Sequence, residues 1–473
     1  MNNKISKLIK NFSYSVSVNI VVMGTTFLLN LIAPKFLGVK DYSYWQLYIF
    51  YLSYVGFFHL GWADGIYLRY GGKKYNDLDK NNIRTQFWML FIIQIIFGII
   101  VFFIIYNNSD NNFIFIMVMT IIYGIIANPR YIILFVLQAT NKIKEYSKIM
   151  LVDRLVFCGL ILLVFIFKLE SYKTLIVLDI FSRIISMVYA MVMCKDLIFG
   201  KLIKMKEGIF QAYINISIGS KLMFANIASN LIIGIVRIGV QIRWSIEVFG
   251  KLSFTISISN IILNFINSIS LVIFPMLRNI DNYKLKSIYS KIRTILMVIV
   301  LGTLILYQPL KAILELWLPQ YSESLFYMGI LFPVFVFESK TSMLTNTFLK
   351  TLRKEKEILI VNLVSIILSL ILSVINIYLL DSFILTVISI LVLIGFKSIY
   401  SEIILSKYID IKILKDIILE VSLIIIFVSI NFLLEPLYAI ITYLVFYIIY
   451  IFTKGKEIIK VLNETKFMIK NKY

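Results

Sequence analysis

Seven basic residues fall inside long apolar stretches of this chain: Arg130, Arg154, Arg183, Lys221, Arg237, Lys340 and Lys397. A charge at the centre of a membrane helix costs at least about 2.5–3.5 kcal/mol, so such residues face a cavity or a partner. Arginine adds a planar fork of donors that matches phosphate oxygens. Arg183, Arg154, Arg130, Arg237 and Lys221 are therefore candidates for holding an anionic substrate. Each has a plainer reading beside it. Arg183 stands four residues after Asp179, close enough to pair on one helix face. Arg154 follows Asp153, and adjacent residues point in different directions on a helix. Arg130 follows Pro129, where a kink would open carbonyls to a ligand, but it is near enough to a span end to reach the surface. Arg237 and Lys221 lie toward the ends of their stretch and can snorkel. Lys340, two residues after Glu338, and Lys397 read as structural.

Asp64, Asp153, Asp179 and Glu338 lie in these stretches. A carboxylate shielded from water can carry a proton or hold a cation, so these are the candidates for ion coupling. The competing role is charge balance of a nearby arginine. The only histidine, His59, is five residues from Asp64 and off its helical face. Tyrosine is abundant, 29 in all. Its clustering at span ends, as in Tyr42, Tyr44, Tyr48, Tyr51 and Tyr54, fits an interfacial aromatic belt.

The elements that position these residues follow from composition. The 473 residues are 60% hydrophobic and only 15% charged, with a mean hydropathy of +0.89. A soluble chain carries roughly a quarter charged residues, so a cytoplasmic enzyme, a secreted disulfide scaffold and a disordered chain are excluded. Cys158 and Cys194 sit in apolar runs and give no disulfide or metal framework. No cofactor or metal is expected.

A membrane-spanning helix needs about 20 mostly apolar residues. The pattern predicts an all-α polytopic membrane protein with about fourteen spans, near 12–33, 43–68, 87–106, 113–138, 146–167, 173–194, 212–239, 250–276, 294–315, 325–348, 358–380, 382–404, 417–434 and 436–453. Loops on one side hold 33 Lys and Arg, and those on the other hold 7. That asymmetry places both termini in the cytoplasm. It also accounts for the net charge of +21 by topology and anionic-lipid contact, not by nucleic acid. The first apolar run is too long for a cleavable signal and lacks a small-residue cleavage site.

The chain reads as duplicated. Ile66-Tyr67-Leu68-Arg69 resembles Pro275-Met276-Leu277-Arg278 at a separation of 209, Lys144-Glu145 matches Lys354-Glu355 at 210, and Asp41 aligns with Val248 at 207. Six spans separate the copies, so both have the same orientation. The division expected is a lobe over 1–208, a second over 209–405, and two appended spans with a basic tail over 406–473.

Ala33-Pro34-Lys35-Phe36-Leu37-Gly38 with Asp41-Tyr42-Ser43 resembles the entry signature of polysaccharide exporters in the superfamily that includes multidrug exporters. Gly61-Trp62-Ala63-Asp64-Gly65-Ile66-Tyr67-Leu68-Arg69-Tyr70-Gly71-Gly72 is similar to the segment that ends span two in Wzx-type O-antigen and capsule flippases. Gln138-Ala139-Thr140-Asn141, Lys144-Glu145-Tyr146 and Phe249-Gly250-Lys251-Leu252-Ser253-Phe254 fit the same pattern. The resemblance covers residues 10–405 and implies two pseudo-symmetric six-helix lobes around a central cavity. It implies alternating-access flipping of a polyprenyl-pyrophosphate-linked glycan across the bacterial inner (cytoplasmic) membrane. The implied partners are that glycan and membrane lipids, with a polysaccharide polymerase and a chain-length regulator as candidates, and the implied state is a monomer.

Two other classes compete. A drug or toxin exporter of the same fold would favour an acidic or neutral cavity, whereas basic residues outnumber acidic ones within these spans. A membrane polymerase or ligase would carry a long extracytoplasmic loop with catalytic basic residues, and no outward loop here is long. No P-loop, HExxH or catalytic triad is present, so a non-enzymatic transporter is expected.

Overall fold

The computed structural model describes residues 2–107, 110–168, 171–277 and 282–470. Arg278, one end of the repeat match, and Lys472 of the basic tail lie outside them. The chain is all-α. In order, the helices are α1 (Asn2–Val55), α2 (Trp62–Tyr70), α3 (Lys80–Ile105), α4 (Asn111–Ala139), α5 (Ile143–Ile166), α6 (Tyr172–Met193), α7 (Lys195–Ile198), α8 (Met205–Arg243) and α9 (Ile246–Leu277). They continue as α10 (Asn282–Gly302), α11 (Tyr307–Trp317), α12 (Ser322–Leu331), α13 (Val334–Ser339), α14 (Thr347–Thr351), α15 (Glu355–Ser373), α16 (Phe383–Ile409), α17 (Leu414–Leu433) and α18 (Pro436–Lys470). Among the described residues, nine helices are long and apolar enough to cross a membrane. They form two compact units, Met1–Ser229 and Asn230–Tyr473, with the division falling inside α8.

The units are built inside out relative to a soluble domain. On α3, Gln86 and Gln94 are buried while Ile92, Ile96, Ile99, Phe103 and Ile104 are exposed. Lipid is as apolar as leucine, so the surface gains nothing by hiding its hydrophobes, and polar side chains turn inward to find partners. Polar residues start the membrane helices. Asp79, Asp110, Ser171 and Ser382 cap α3, α4, α6 and α16 by accepting from backbone N–H groups of the first turn, satisfying donors that have no partner within the helix.

Two expected spans and one expected connection differ from simple expectation. The connection expected between spans one and two is helical on both sides of a single break at Gly38, whose φ of 68° suits glycine. Span two, expected as one helix over 43–68, is broken by a 3₁₀ turn at Gly56–His59 and left-handed residues Leu60 and Gly61. A break inside a membrane exposes carbonyls, and two side chains cover them. Asn128 Nδ2 donates to Val55 O at 3.2 Å, and Gln94 Nε2 donates to Phe58 O at 2.9 Å. The span expected over 325–348 is α12, a break at Pro333, α13, a π-helical turn at Lys340–Asn346, and α14. By contrast α4 continues through Pro129, which is buried.

The restart at α2 lets it cross α8 with backbones in contact. A Cβ built on Gly65 would overlap Asn215 O, and one on Gly219 would overlap Gly61 O. Small residues permit such approach in membrane helices. Arg69, at the end of α2, donates to Gln211 Oε1 at 2.6 Å on the same stretch of α8.

Two helix ends share one geometry. After α4, Asn141 takes φ 58° and Lys142 N donates back to Leu137 O at 2.8 Å; after α14, Arg353 takes φ 56° and Lys354 N donates to Leu349 O at 2.8 Å. Both are helix ends closed by a six-to-one bond over a left-handed residue. They stand 212 residues apart, close to the separation of 210 between Lys144-Glu145 and Lys354-Glu355. Two further left-handed residues, Lys168 and Asp381, precede α6 and α16.

Candidate functional site

In the N-terminal unit, α1, α4, α5 and α6 pack together, and each carries one part of a buried polar cluster. Arg130 on α4 donates from Nη1 to Ser186 Oγ at 2.6 Å and from Nη2 to Asp153 Oδ2 at 3.2 Å. Arg183 on α6 donates from Nη1 to that same Asp153 oxygen, and from Nη2 to Asp179 Oδ1 at 3.3 Å. Tyr48 on α1 donates to Asp179 Oδ2 at 2.9 Å. The Arg183 guanidinium also lies over the Tyr123 ring, 5.4 Å from its centroid. Asp153 is 1% exposed and Arg130 2%, so these charges are shielded from solvent on every side.

Four of the nine candidate residues are thus brought into one network: Arg130, Arg183, Asp153 and Asp179. Arg130 is held by side chains of α5 and α6 and does not snorkel. Arg183 pairs with Asp179 as their spacing allows, and with Asp153 as well. Arg154, one residue past Asp153, is half-buried and has no ion-pair or hydrogen-bond partner among the described residues. Counting formal charges, three guanidiniums face two carboxylates, a surplus of one. The Nε atoms of Arg130, Arg154 and Arg183 are buried without an acceptor, as is Asp153 Oδ1 without a donor. The site therefore combines excess positive charge with unspent donors.

The other candidates stand elsewhere. Arg237 donates to Ser253 Oγ at 2.8 Å and lies 5.2 Å from the Phe249 ring centroid. Lys221 is exposed on α8. Asp64 lies 3.8 Å from His59 Nε2; the broken backbone before α2 brings the two together despite their five-residue spacing, while His59 Nδ1 accepts from Gly61 N. Glu338 accepts from Lys397 at 3.0 Å.

A second buried network lies in the C-terminal unit. Arg293 on α10 donates from Nε to Glu402 Oε1 at 2.6 Å and from Nη2 to Glu420 Oε2 at 3.1 Å, and it also reaches Asp416 at 3.2 Å. Lys340, at the start of the π-helical turn, bridges Glu402 and Glu420, the latter at 2.8 Å. Lys454 on α18 pairs with Asp416, and Tyr289 donates to Glu402 at 2.7 Å. Lys340, Glu402 and Glu420 are at most 2% exposed. In its buried part Arg293, Lys340 and Lys454 meet Glu402, Asp416 and Glu420, three charges against three, while the exposed Glu457 also reaches Lys454 at 3.0 Å. Asp416 and Glu420 tie α17 to α10 and to Lys340, and Lys454 ties α18 to α17.

Sequence reasoning missed much of this. Tyr48, assigned to the aromatic belt, is fully buried and anchors Asp179. Glu402 and Glu420 were overlooked, and Arg293 and Lys454 were counted as loop charges. Partners 109 and 127 positions away in the chain give no local signal.

No family model matches the chain, and no curated protein sequence does. Solved structures do. One, the lipid II flippase MurJ in an inward closed conformation, aligns with a TM-score of 0.67 at 12% identity, covering 95% of this chain and all of that one (100%). An inward-facing multidrug resistance MATE family transporter of the MOP superfamily aligns with a TM-score of 0.59 at 12% identity, covering 83% of this chain and 96% of that one. A MOP superfamily transporter from Pyrococcus furiosus, described by the reverse polarity of its binding pocket, gives 0.52 at 12%, covering 86% and 95%. At such identities the shared property is the fold. This chain is a multi-pass membrane protein with the fold of MOP superfamily transporters.

Proposed function

We propose that this protein moves a polyprenyl-pyrophosphate-linked oligosaccharide repeat unit, an O-antigen or capsule precursor, from the cytoplasmic to the outer leaflet of a bacterial cytoplasmic membrane by alternating access, with both termini in the cytoplasm. The observation that carries the reading is the surplus guanidinium of the N-terminal network. A pyrophosphate group entering a low-dielectric path loses its hydration and needs fixed cations in return. The fold shared with a lipid II flippase supports the same substrate class.

The residues take distinct parts. Arg154, uncommitted, is the first phosphate contact. Arg130 and Arg183 are held in place by the single Asp153 oxygen that both address, a position one phosphate oxygen would occupy equally well. A proton taken up by Asp153 would loosen that hold on both guanidiniums, and one taken up by Asp179 would loosen the hold on Arg183, which makes these two carboxylates the coupling residues. Arg237 and Lys221 serve as further contacts along the route, and Asp64 and Glu338 as secondary coupling sites.

Arg154→Gln tests this most cleanly, because it breaks no ion pair. In proteoliposomes loaded with a polyprenyl-pyrophosphate glycan, the variant is expected to lose at least tenfold in flipping rate, about 1.4 kcal/mol, at wild-type expression. Unchanged flipping would remove Arg154 from the route. In the host, deleting the gene is expected to abolish surface glycan and trap complete repeat units on the cytoplasmic leaflet. Intact glycan with new drug sensitivity would point to a drug exporter instead, and single exported repeat units without long chains to a polymerase.

A further inference from the structure

The ends of α10, α17 and α18 and the connection between α16 and α17 enclose a cavity of about 500 Å³. Five basic residues line it: Lys286, Lys291, Arg293, Lys412 and Lys460. The two acidic residues in its wall are Asp416 and Glu457, and both are already engaged. Asp416 pairs with Arg293 and Lys454, and Glu457 with Lys454 at 3.0 Å. Arg293 is in turn committed to Glu402 and Glu420 at the floor. Nothing in the wall is left to neutralise Lys412 and Lys460, which have no ion-pair partner among the described residues.

Two ammonium groups on separate elements around a concave, basic wall make a receptor for a compact multivalent anion. Ammonium groups bind phosphate as point charges and need no fixed fork. Beside the cavity α17 turns apolar side chains outward: Leu414 is 68% exposed and Ile418 56%. An anion arriving here with acyl chains would find lipid-compatible surface immediately next to the charged wall.

We propose that this cavity binds the phosphate group of an anionic headgroup, with Lys412 and Lys460 as its principal ligands and Lys286 at the rim, where it shares Asp410 at 3.1 Å. A phosphate held between Lys412, before α17, and Lys460, on α18, ties those helices together next to Arg293 and Asp416. Occupancy therefore strengthens the attachment of the terminal helices from outside, as the buried network does from inside.

The test uses the full-length protein in detergent, with bound molecules counted by native mass spectrometry. It is titrated separately with phosphatidylglycerol, phosphatidylcholine and inorganic pyrophosphate. Phosphatidylglycerol is expected to bind in preference to phosphatidylcholine. Its affinity should fall about thirtyfold in K412Q/K460Q, from about 1 kcal/mol per lysine. The equal-charge control K350Q/K356Q, on α14 and α15 either side of their connecting turn, should bind like wild type. If pyrophosphate binding shows this sensitivity and the lipid does not, the phosphate site stands and its occupant is a free anion. Equal binding of the two lipids with no pyrophosphate binding would overturn the proposal. So would anion binding that K412Q/K460Q leaves unchanged, or that the control weakens equally.

Discussion

Replacing Lys340 by methionine removes one cation from a network in which three cations face three carboxylates. Methionine keeps the volume and unbranched shape of the side chain, so packing around the π-helical turn is largely preserved. What changes is electrostatic. Lys340 Nζ lies 2.8 Å from Glu420 and also contacts Glu402; without it, two carboxylates at most 2% exposed share only Arg293 between them. Unit charges about 4 Å apart at an effective dielectric near 20 interact by about 4 kcal/mol. Breaking a buried pair on one side costs about 3–5 kcal/mol in measured cases. The expected loss for Lys340→Met is in that range. Glu402→Gln should be damaging on its own, but less so in the Lys340→Met background, because the pair of changes restores charge balance. A double-mutant cycle followed by unfolding in mixed micelles should return a coupling of about 2–3 kcal/mol. Asp381→Asn supplies the contrast: its pair with Arg243 is half exposed, and its stability should match wild type. Additive losses from Lys340→Met and Glu402→Gln, or a Lys340→Met loss under about 1 kcal/mol, would refute the view that these charges act as one unit.

Other expectations follow from the same physical reasoning. Tyr48→Phe deletes the hydroxyl that donates to Asp179 and should cost about 1.5–3 kcal/mol, the range for a hydrogen bond to a charged group; a thermal midpoint equal to wild type would contradict its anchoring role. Gly219→Ala puts a methyl into the backbone of Gly61, so folded protein recovered after extraction should fall sharply, whereas Gly24→Ala, which meets no neighbouring atom, should be neutral. Outside the membrane, burial raises the Asp196 carboxyl, but hydrogen bonds from Lys80 and Tyr75 outweigh it and hold the group below the usual carboxylate range. A carboxyl depressed on folding stabilises above its unfolded pKa of about 3.9 and ceases to as pH falls through its folded value. Asp196→Asn should therefore unfold more easily than wild type at pH 7, with the difference fading in acid; a gap that persists in strong acid would exclude this cause.

The all-α membrane fold was legible because lipid imposes long apolar runs. The Arg183–Asp179 pair was legible too, since four residues bring side chains onto one helix face. The rest of the cluster was not. Asp153 meets Arg130 and Arg183 only after α4, α5 and α6 pack, and nothing local in the sequence encodes that. Charges near span ends misled most. Arg293 and Lys454 look like loop residues, and Glu402 and Glu420 sit close enough to helix ends to pass as surface groups. A charge tally by lobe would have found them, because Lys340 within a span needs a carboxylate somewhere. The break at Gly56–Gly61 had a visible sign in its two glycines.

The three-against-three balance of the C-terminal unit has a consequence for synthesis. A chain that has emerged only as far as Asp410 holds Arg293 and Lys340 against Glu402 alone. The carboxylates that neutralise them, Asp416 and Glu420, arrive with the next helix, and Lys454 with the last. The growing polypeptide thus stays electrostatically unfinished until α18 leaves the ribosome. A product cut short before α17 would carry that mismatch for good, in a form that membrane quality-control proteases are well placed to recognise.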